Sequence, residues 1–286
     1  MATMGIVSPG EMGSAVGAAF AAAGNRVVAT VDGRSRRTRA LAEQAGLELL
    51  PTLDDVVRAS GLVLSVVPPG EARAVARAVA SAAAKVGVGP LLADLNAISP
   101  ANVAAIAHDV AADGLDLVDG SISGPPPRRA GTTRLYLSGP RAGEVAALAP
   151  ALVTVRVLGD AVGTASALKM CTASVYKGTV ALLMQALMTA RAHGVVEEVL
   201  DDLSGAYPDL VDHAAGAIAR AAAKSERYVP EMREIASTQA AAGLPGELFA
   251  GVAAVYRSAA STPPARRAPE DVGDPKLVDV LDELAG

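Results

Sequence analysis

The first 158 residues alternate short apolar runs with longer amphipathic segments, and this alternation limits the possible folds more than any other feature of the chain. The apolar runs predict strands and the amphipathic segments predict helices. Strands and helices in alternation form a mostly parallel sheet covered by helices. We therefore predict an α/β Rossmann domain over residues 1–159. Its predicted strands are 2–7, 26–31, 62–67, 91–95, 115–118, 133–137 and 153–157, and its predicted helices include 11–23, 35–45, 71–85 and 99–112.

The strand pattern stops at Gly159, and the rest of the chain carries helical patterns. Residues 162–193 predict one long helix, and further helical segments follow to about residue 260. A segment rich in proline and charge, 261–274, predicts a loop before a last short helix. We therefore predict that an all-α C-terminal domain, residues 160–286, follows the Rossmann domain.

The composition argues against several classes of function. Only 2% of the residues are aromatic and the net charge is −5, so the chain has few groups for stacking on bases and no positive excess for binding the phosphate backbone of a nucleic acid. The single cysteine, Cys171, cannot form an internal disulfide, which is typical of a reducing compartment. The sequence shows neither a signal peptide nor an apolar run of about 18 residues. We predict a cytoplasmic protein that binds neither nucleic acid nor membranes.

The sequence offers no convergent set of metal ligands. The three histidines, His108, His193 and His213, are far apart and fall in helical segments, where we predict surface or capping roles. The acidic residues between 197 and 202 fit a solvated helix face. Cys171 is predicted to be a small buried residue. We therefore predict no metal site.

A turn that contains two glycines follows the first strand. Its sequence, SPGEMG over residues 8–13, stands where the dinucleotide fingerprint G-x-G-x-x-G lies between a strand and a helix. Gly10 and Gly13 occupy the second and third glycine positions, and Ser8 occupies the first. In the fingerprint the second glycine lets the backbone approach the pyrophosphate and the third lets the helix pack on the strand. Taken alone, the motif fits an ordinary strand-to-helix turn equally well.

Charged residues follow the second strand, where Rossmann domains bind the adenine ribose. Asp32 suits the ribose hydroxyls of NAD, whereas Arg34, Ser35, Arg36 and Arg37 suit the 2′-phosphate of NADP. The alternative is a solvated helix start. The arginines favour NADP(H), and NAD(H) stays possible.

The long predicted helix carries one polar face. Ser166, Lys169, Thr172, Tyr176 and Lys177 recur at spacings near three and four, so they share a broad face. Two lysines on such a face indicate a lined cleft, although a solvent-facing lysine is the commoner case. The remaining face is predicted to be core, and it consists of Leu168, Cys171, Val175, Leu182 and Leu183.

Several segments, in the same order, resemble those of the β-hydroxyacid dehydrogenase superfamily, which includes 3-hydroxyisobutyrate dehydrogenases, 6-phosphogluconate dehydrogenases and imine reductases. SPGEMG resembles G-x-G-x-M-G, 94–100 resembles D-x-S-T-I-S-P, and 119–124 resembles D-A-P-V-S-G-G. Further matches are 65–69, which resembles the strand and turn beneath the cofactor, 131–132 with 135–139, which resemble G-T-L-x-x-M-V-G, and 159–169, which resembles G-x-x-G-x-G-x-x-x-K. In detail the chain is similar to a divergent, phosphogluconate-dehydrogenase-like branch with an uncharacterised C-terminal domain.

The resemblance implies an NAD(P)-dependent oxidoreductase for a small, acidic hydroxy or keto substrate, assembled as a homodimer. Lys169 matches the family lysine that exchanges a proton with the substrate oxygen or steadies its charge. The implied cofactor contacts are Ser8, Pro9, Gly10, Glu11, Met12, Gly13, Asp32, Arg34, Ser35, Arg36, Val67, Pro68, Pro69 and Asn96. The implied substrate contacts are Ser121, Ser123, Gly124, Thr172, Tyr176 and Lys177.

Three places depart from the family pattern. Ala173 stands where the family has an asparagine, whose role Lys177 or Tyr176 would take over. Glu231 and Met232 stand at the family's lysine–aspartate pair, and Pro125–Pro127 stiffen the substrate loop. Two alternatives therefore stay open: an imine reductase, which can work without a lysine acid, and a protein that binds dinucleotide without turnover.

Overall fold

The computed structural model describes residues 2–286, which form two compact units, one ending at residue 170 and the other spanning 171–286. In the first unit the elements are β1 (Thr3–Val7), α1 (Glu11–Ala22), β2 (Arg26–Ala29), α2 (Arg36–Gln44), β3 (Glu48–Leu49), α3 (Leu53–Ala59), β4 (Leu62–Ser65), α4 (Ala72–Val86), β5 (Leu91–Asp94), α5 (Pro100–Ala112), β6 (Leu117–Ser123), β7 (Thr133–Ser138), α6 (Ala142–Leu148) and β8 (Val153–Val157). The helix α7 (Thr164–His193) begins in this unit and continues into the second. The unit boundary falls inside α7, so the domain boundary at 159–160 stays a prediction.

The eight strands form one sheet in the order β3-β2-β1-β4-β5-β6-β7-β8. Every neighbouring pair is parallel except β6 and β7, which are antiparallel. The order of the first six strands is that of a dinucleotide-binding Rossmann fold, with its topological switch between β1 and β4. The predicted α/β Rossmann domain is thereby confirmed. Ligands of such sheets bind beyond the carboxyl ends of the strands at that switch.

Both faces of the sheet are covered at its centre, which explains why β1, β4 and β5 consist mainly of apolar residues. Met4, Ile6 and Leu64 pack on one face with α1, while Val63 and Leu92 pack on the other with α4 and α5. Full burial of each such side chain contributes about 1.5–3 kcal/mol. The sheet therefore provides a rigid floor for the loops at its carboxyl edge.

Three details of the first unit differ from the sequence prediction. The pattern missed β3, which has only two residues, and α3, which Thr52 caps by accepting the Asp55 N–H. It also ended the predicted strand that corresponds to β6 at residue 118, whereas β6 runs to Ser123. Four of the five added residues, Asp119, Gly120, Ser121 and Ser123, are polar or glycine, which hides this part of the strand from an apolar pattern, whereas Ile122 packs against the core.

The second unit is all-helical, as predicted. After α7 it contains α8 (Val196–Ala206), α9 (Pro208–Asp212), α10 (Ala214–Ala222), α11 (Ser225–Ala241), α12 (Glu247–Ala260) and α13 (Leu277–Ala285). Its largest fully buried side chain, Tyr256, donates a hydrogen bond to the Lys177 carbonyl at 2.7 Å. Over the described residues, no helix has the length and apolarity that a membrane span requires.

The predicted core face of α7 was wrong at three of its five residues. Cys171 is exposed, and Val175 and Leu182 keep 65% and 72% of their surface exposed. Of the predicted face, Leu183 is buried as expected, and the other buried residues of the helix are Met170, Ala173, Ala181, Met184 and Leu187. Apolar residues surround nearly the whole circumference of α7, so periodicity alone could not identify the buried face.

Candidate functional site

The turn after β1 reproduces the fingerprint geometry without its first glycine. Among the described residues, Ser8 is the one non-glycine residue with a positive φ, at 63°. This left-handed conformation is the one that glycine would adopt freely. The Gly10 N–H donates to the Ser8 carbonyl at 2.8 Å, and the Ser14 hydroxyl donates to the Pro9 carbonyl at 2.5 Å. Ser8 therefore makes the turn that the missing glycine usually provides.

The two glycines of the turn serve different steric needs. A Cβ at Gly13 would lie 2.7 Å from the Ser8 carbonyl oxygen, so the start of α1 can pack against the turn only with glycine there. A Cβ at Gly10 would meet nothing within 4 Å, and its φ of −71° suits any residue. Gly10 caps α1 without a side chain, so the first-turn N–H groups face an open cradle. This cradle fits a pyrophosphate, because helix N-termini favour anions.

The charged segment after β2 is exposed, and because β2 pairs with β1, this segment follows the strand next to the one that ends at the turn. Asp32, Arg34, Ser35 and Arg36 are all exposed. Ser35 is also the N-cap of α2, because its hydroxyl accepts the Thr38 N–H at 3.2 Å. The arginine side chains are therefore available to an anion, while the Ser35 hydroxyl already holds the helix start.

The segments after β4 and β5 are tied together by Asn96. This residue is buried, and its side chain binds Val67, Ser65 and Asp94 rather than facing solvent. Its amide therefore positions the Val67–Pro69 segment, and a direct amide contact with a cofactor, as the sequence implied, stays a prediction. Burial raises the pKa of Asp94 to about 6, against the opposing effect of hydrogen bonds from Asn96.

Asp119 holds the start of α7, a role that the sequence did not reveal. Its Oδ2 accepts the Ser138 hydroxyl at 2.8 Å, the Gly163 N–H at 2.9 Å and the Ser166 N–H at 3.1 Å, and its Oδ1 accepts the Ser166 hydroxyl at 2.6 Å. The predicted substrate contact Ser121 is buried and donates its hydroxyl to the Ala165 carbonyl at 3.0 Å. These bonds fix the first turn of α7 against β6 and β7.

Lys169 follows one turn after this anchored start. Its side chain is half-buried, and Nζ donates to the Ile122 carbonyl at 2.8 Å. This carbonyl directly precedes Ser123 and Gly124, so the structure brings three of the predicted site residues together. Gly124 has a φ of 108°, and a Cβ there would clash with the Thr132 carbonyl. The turn therefore requires glycine at this position.

The remaining predicted substrate residues of α7 lie in the second unit. Thr172 is half-buried, and Tyr176 keeps 68% of its surface exposed. Lys177 forms an ion pair with the buried Glu231, and its Nζ lies 4.2 Å from the centre of the Tyr228 ring. A role for Lys177 in substrate binding would therefore require Glu231 to share the ammonium.

No metal cluster was found among residues 2–286. His108, His193 and His213 are all exposed, and a ring nitrogen of His213 lies 2.8 Å from the Asp209 carbonyl on the preceding turn. The acidic residues at 197, 198, 201 and 202 are exposed on α8. These positions are those of surface side chains, and the candidate site is built without them.

Comparison with known families identifies the first unit. The family described as the NAD binding domain of 6-phosphogluconate dehydrogenase matches residues 3–157, which is more than half of the chain. The chain belongs to the β-hydroxyacid dehydrogenase superfamily. A second family, a domain of unknown function, matches residues 190–259 of this superfamily member. The resemblance inferred from the sequence motifs is thereby confirmed.

Individual relatives of this β-hydroxyacid dehydrogenase superfamily member are distant. An uncharacterised 28.5 kDa protein of Methanothermus fervidus is 30% identical over 175 residues, and the match covers 60% of this chain and 65% of that protein. A conserved hypothetical protein of Sinorhizobium meliloti is 26% identical with a TM-score of 0.68, and the match covers 100% of this chain and 96% of that one.

Structures of named enzymes share the fold at lower identity. The 3-hydroxyisobutyrate dehydrogenase of Mycobacterium tuberculosis, solved with L-serine, is 18% identical with a TM-score of 0.70, and both chains are covered fully. Imine reductases are among the further structures with this fold.

Proposed function

We propose that the chain is an NAD(P)-dependent oxidoreductase that transfers hydride between the nicotinamide, NADP(H) in preference, and a small, acidic hydroxy or keto substrate. The observation that carries this proposal is the position of Lys169, whose ammonium binds the Ile122 carbonyl at 2.8 Å beside the Ser123–Gly124 turn. An ammonium held at the carboxyl end of a Rossmann sheet suits a reaction in which charge develops on a substrate oxygen.

The cofactor would be held by the segments that surround the switch between β1 and β4. The open cradle at Gly10 and the N-terminus of α1 would bind the pyrophosphate, with Glu11 and Met12 beside it. Asp32, Arg34, Ser35 and Arg36 would bind the adenosine end, and Val67, Pro68, Pro69 and Asn96 would form the wall by the nicotinamide. When bound, the nicotinamide supplies or accepts the hydride.

Lys169 would act on the proton of the reacting oxygen. In the reducing direction its ammonium donates a proton to the oxygen as the carbonyl becomes an alcohol, and in the oxidising direction the neutral amine takes that proton back. The bond to Ile122 orients Nζ for this exchange. The Ser123 hydroxyl and the Gly124 N–H would hold the substrate carboxylate. Substrate contacts by Ser121, Thr172, Tyr176 and Lys177 stay predictions.

Reduction of a C=N bond is the second candidate, and the shared fold of imine reductases favours it. A protein that binds dinucleotide without turnover is the third, because Ala173 replaces the family asparagine. A panel of hydroxy acids, keto acids and imines, assayed by NADPH absorbance, separates the three. Turnover of acids supports the proposal, turnover restricted to imines supports the second candidate, and binding without any turnover supports the third.

Replacing Arg34 with alanine is expected to raise the Kd for NADPH by about 10- to 100-fold, because a hydrogen bond to a charged group contributes about 1.5–3 kcal/mol. The Kd for NADH should stay within about twofold, since NADH lacks the 2′-phosphate that the guanidinium would bind. Calorimetric titration measures both constants. Arg39→Ala, an exposed arginine on α2, is the matched control. Equal losses for both nucleotides in Arg34→Ala would remove the assignment of the arginines to NADP(H).

We also propose a cytoplasmic homodimer. Val175 and Leu182 on α7 and Leu248 on α12 are large apolar side chains that keep 65%, 72% and 66% of their surface exposed. Large apolar side chains that a second copy of the chain would cover support this proposal. Light scattering of the purified protein tests the assembly, and a monomeric mass at micromolar concentration would exclude the dimer.

A further inference from the structure

Asp94, at the carboxyl end of β5, is linked to the segment after β4 through a single amide. Its Oδ1 accepts the Asn96 N–H at 3.0 Å, and its Oδ2 accepts Nδ2 of the same residue at 2.9 Å. Nδ2 of Asn96 also donates to the Ser65 hydroxyl at 3.0 Å, while its Oδ1 accepts the Val67 N–H at 2.6 Å. Asp94, Asn96 and Ser65 are buried.

The orientation of the Asn96 amide depends on the charge of Asp94. A backbone N–H can only donate and a carboxylate can only accept, so Val67 and the ionised Asp94 together fix which end of the amide faces each of them. A protonated Asp94 carries an O–H donor, and the Asn96 amide can then rotate to accept it. After that rotation Nδ2 faces the Val67 N–H, and two donors meet where a hydrogen bond existed.

We propose that Asp94 is a positioning residue whose carboxylate locks the Asn96 amide and thereby holds the Val67–Pro69 segment in place. The ligand that this segment would contact rests on the proposed function, whereas the lock itself does not. Neither the composition nor the fingerprint motif indicates this role. It follows from the four hydrogen bonds that converge on Asn96.

The lock should open within an accessible pH range. Burial is the main cause that raises the pKa of Asp94 to about 6. The negative charge of Asp119, which pairs with Asp94 across β5 and β6, raises this pKa further. Because Asp94 of the folded protein takes up a proton near pH 6, its carboxylate predominates above that value and holds the Asn96 amide. The lock is lost as the pH falls through about 6 toward 5.

Hydrogen exchange of the Val67 amide, without nucleotide, tests the lock directly. Between pH 7.5 and 5.0 the wild-type protection factor, corrected for the intrinsic exchange rate, should fall by about three- to tenfold, the equivalent of one hydrogen bond. The Leu64 amide, inside β4, should keep its protection. In Asp94→Asn the protection factor of the Val67 amide should be low and independent of pH. In Asn96→Ala this protection factor should be the lowest of the three proteins at every pH.

The controls keep this inference separate from the proposed function. Asp113→Asn removes an exposed carboxyl of the same unit and should reproduce the wild-type profile. Val67 protection that does not change with pH in the wild type, or that changes equally in Asp94→Asn, would overturn the role of Asp94. If Asp94→Asn fails to fold, the pH dependence of Val67 protection in the wild type, compared with that in Asn96→Ala, decides whether Asp94 has this role. A failure to bind nucleotide at pH 7.5 would instead contradict the proposed function and leave the amide result valid.

Discussion

Replacing Lys169 with alanine is expected to lower kcat for the substrate found in the panel by about 10²- to 10⁴-fold, the range that one general acid–base group contributes. The variant loses the ammonium that the Ile122 carbonyl orients beside the Ser123–Gly124 turn. Nucleotide affinity should stay within about threefold, because the cradle at Gly10 and the arginines after β2 are unchanged. Steady-state kinetics and calorimetric titration measure the two effects separately.

Two further variants sharpen the Lys169 experiment. Lys169→Met keeps the length of the side chain without the charge, and it should lose kcat to the same extent if the ammonium is what matters. Lys85→Ala removes an exposed lysine that pairs with Asp54 on the same unit, and it should keep full activity. Wild-type kcat in Lys169→Ala would contradict the role of this residue in proton transfer.

Replacing Asp119 with alanine is expected to lower the free energy of unfolding by about 3 kcal/mol, because buried donors left without an acceptor cost about 1–3 kcal/mol each. The N–H groups of Gly163 and Ser166 would lose their acceptor, while the hydroxyls of Ser138 and Ser166 can rotate toward other partners. Urea unfolding, followed by far-ultraviolet circular dichroism, measures the change.

Asp113→Ala is the control for Asp119→Ala, since this aspartate is exposed at the end of α5. A surface change of this kind should shift the free energy of unfolding by no more than about 0.5 kcal/mol. An equally small shift in Asp119→Ala would show that water replaces the lost acceptor and that Asp119 does not hold α7.

The sequence predicted the architecture of the first unit because its central strands, β1, β4 and β5, are buried on both faces and therefore mainly apolar. That signal is absent in β3, which has two residues, and in the second half of β6, where Asp119 and Ser121 bind other segments. The buried face of α7 could not be predicted either, because apolar residues surround this helix. Its exposed residues, Val175 and Leu182, differ from its buried residues only in what packs on them.

The sequence located the fingerprint turn and Lys169, but not the residues that position them. The left-handed conformation of Ser8 replaces the missing glycine, and no sequence rule assigns that conformation to serine before proline. Asp94 and Asp119 were visible only as members of motifs. A polar residue at the buried end of an apolar strand is the signal that could have indicated them, because such a group needs a hydrogen-bond partner.

Calorimetric titration of NADPH into the wild type and into Gly10→Val tests the central claim most directly. In the structure a Cβ at Gly10 meets nothing within 4 Å, so valine should fit the protein and lower its stability by about 1 kcal/mol at most. In the complex the same side chain would fill the cradle proposed for the pyrophosphate. We predict saturable wild-type binding in the common range of about 1 μM–1 mM, and binding at least about tenfold weaker in folded Gly10→Val. Equal binding by the two proteins, or no binding by the wild type at millimolar nucleotide, would contradict the dinucleotide site.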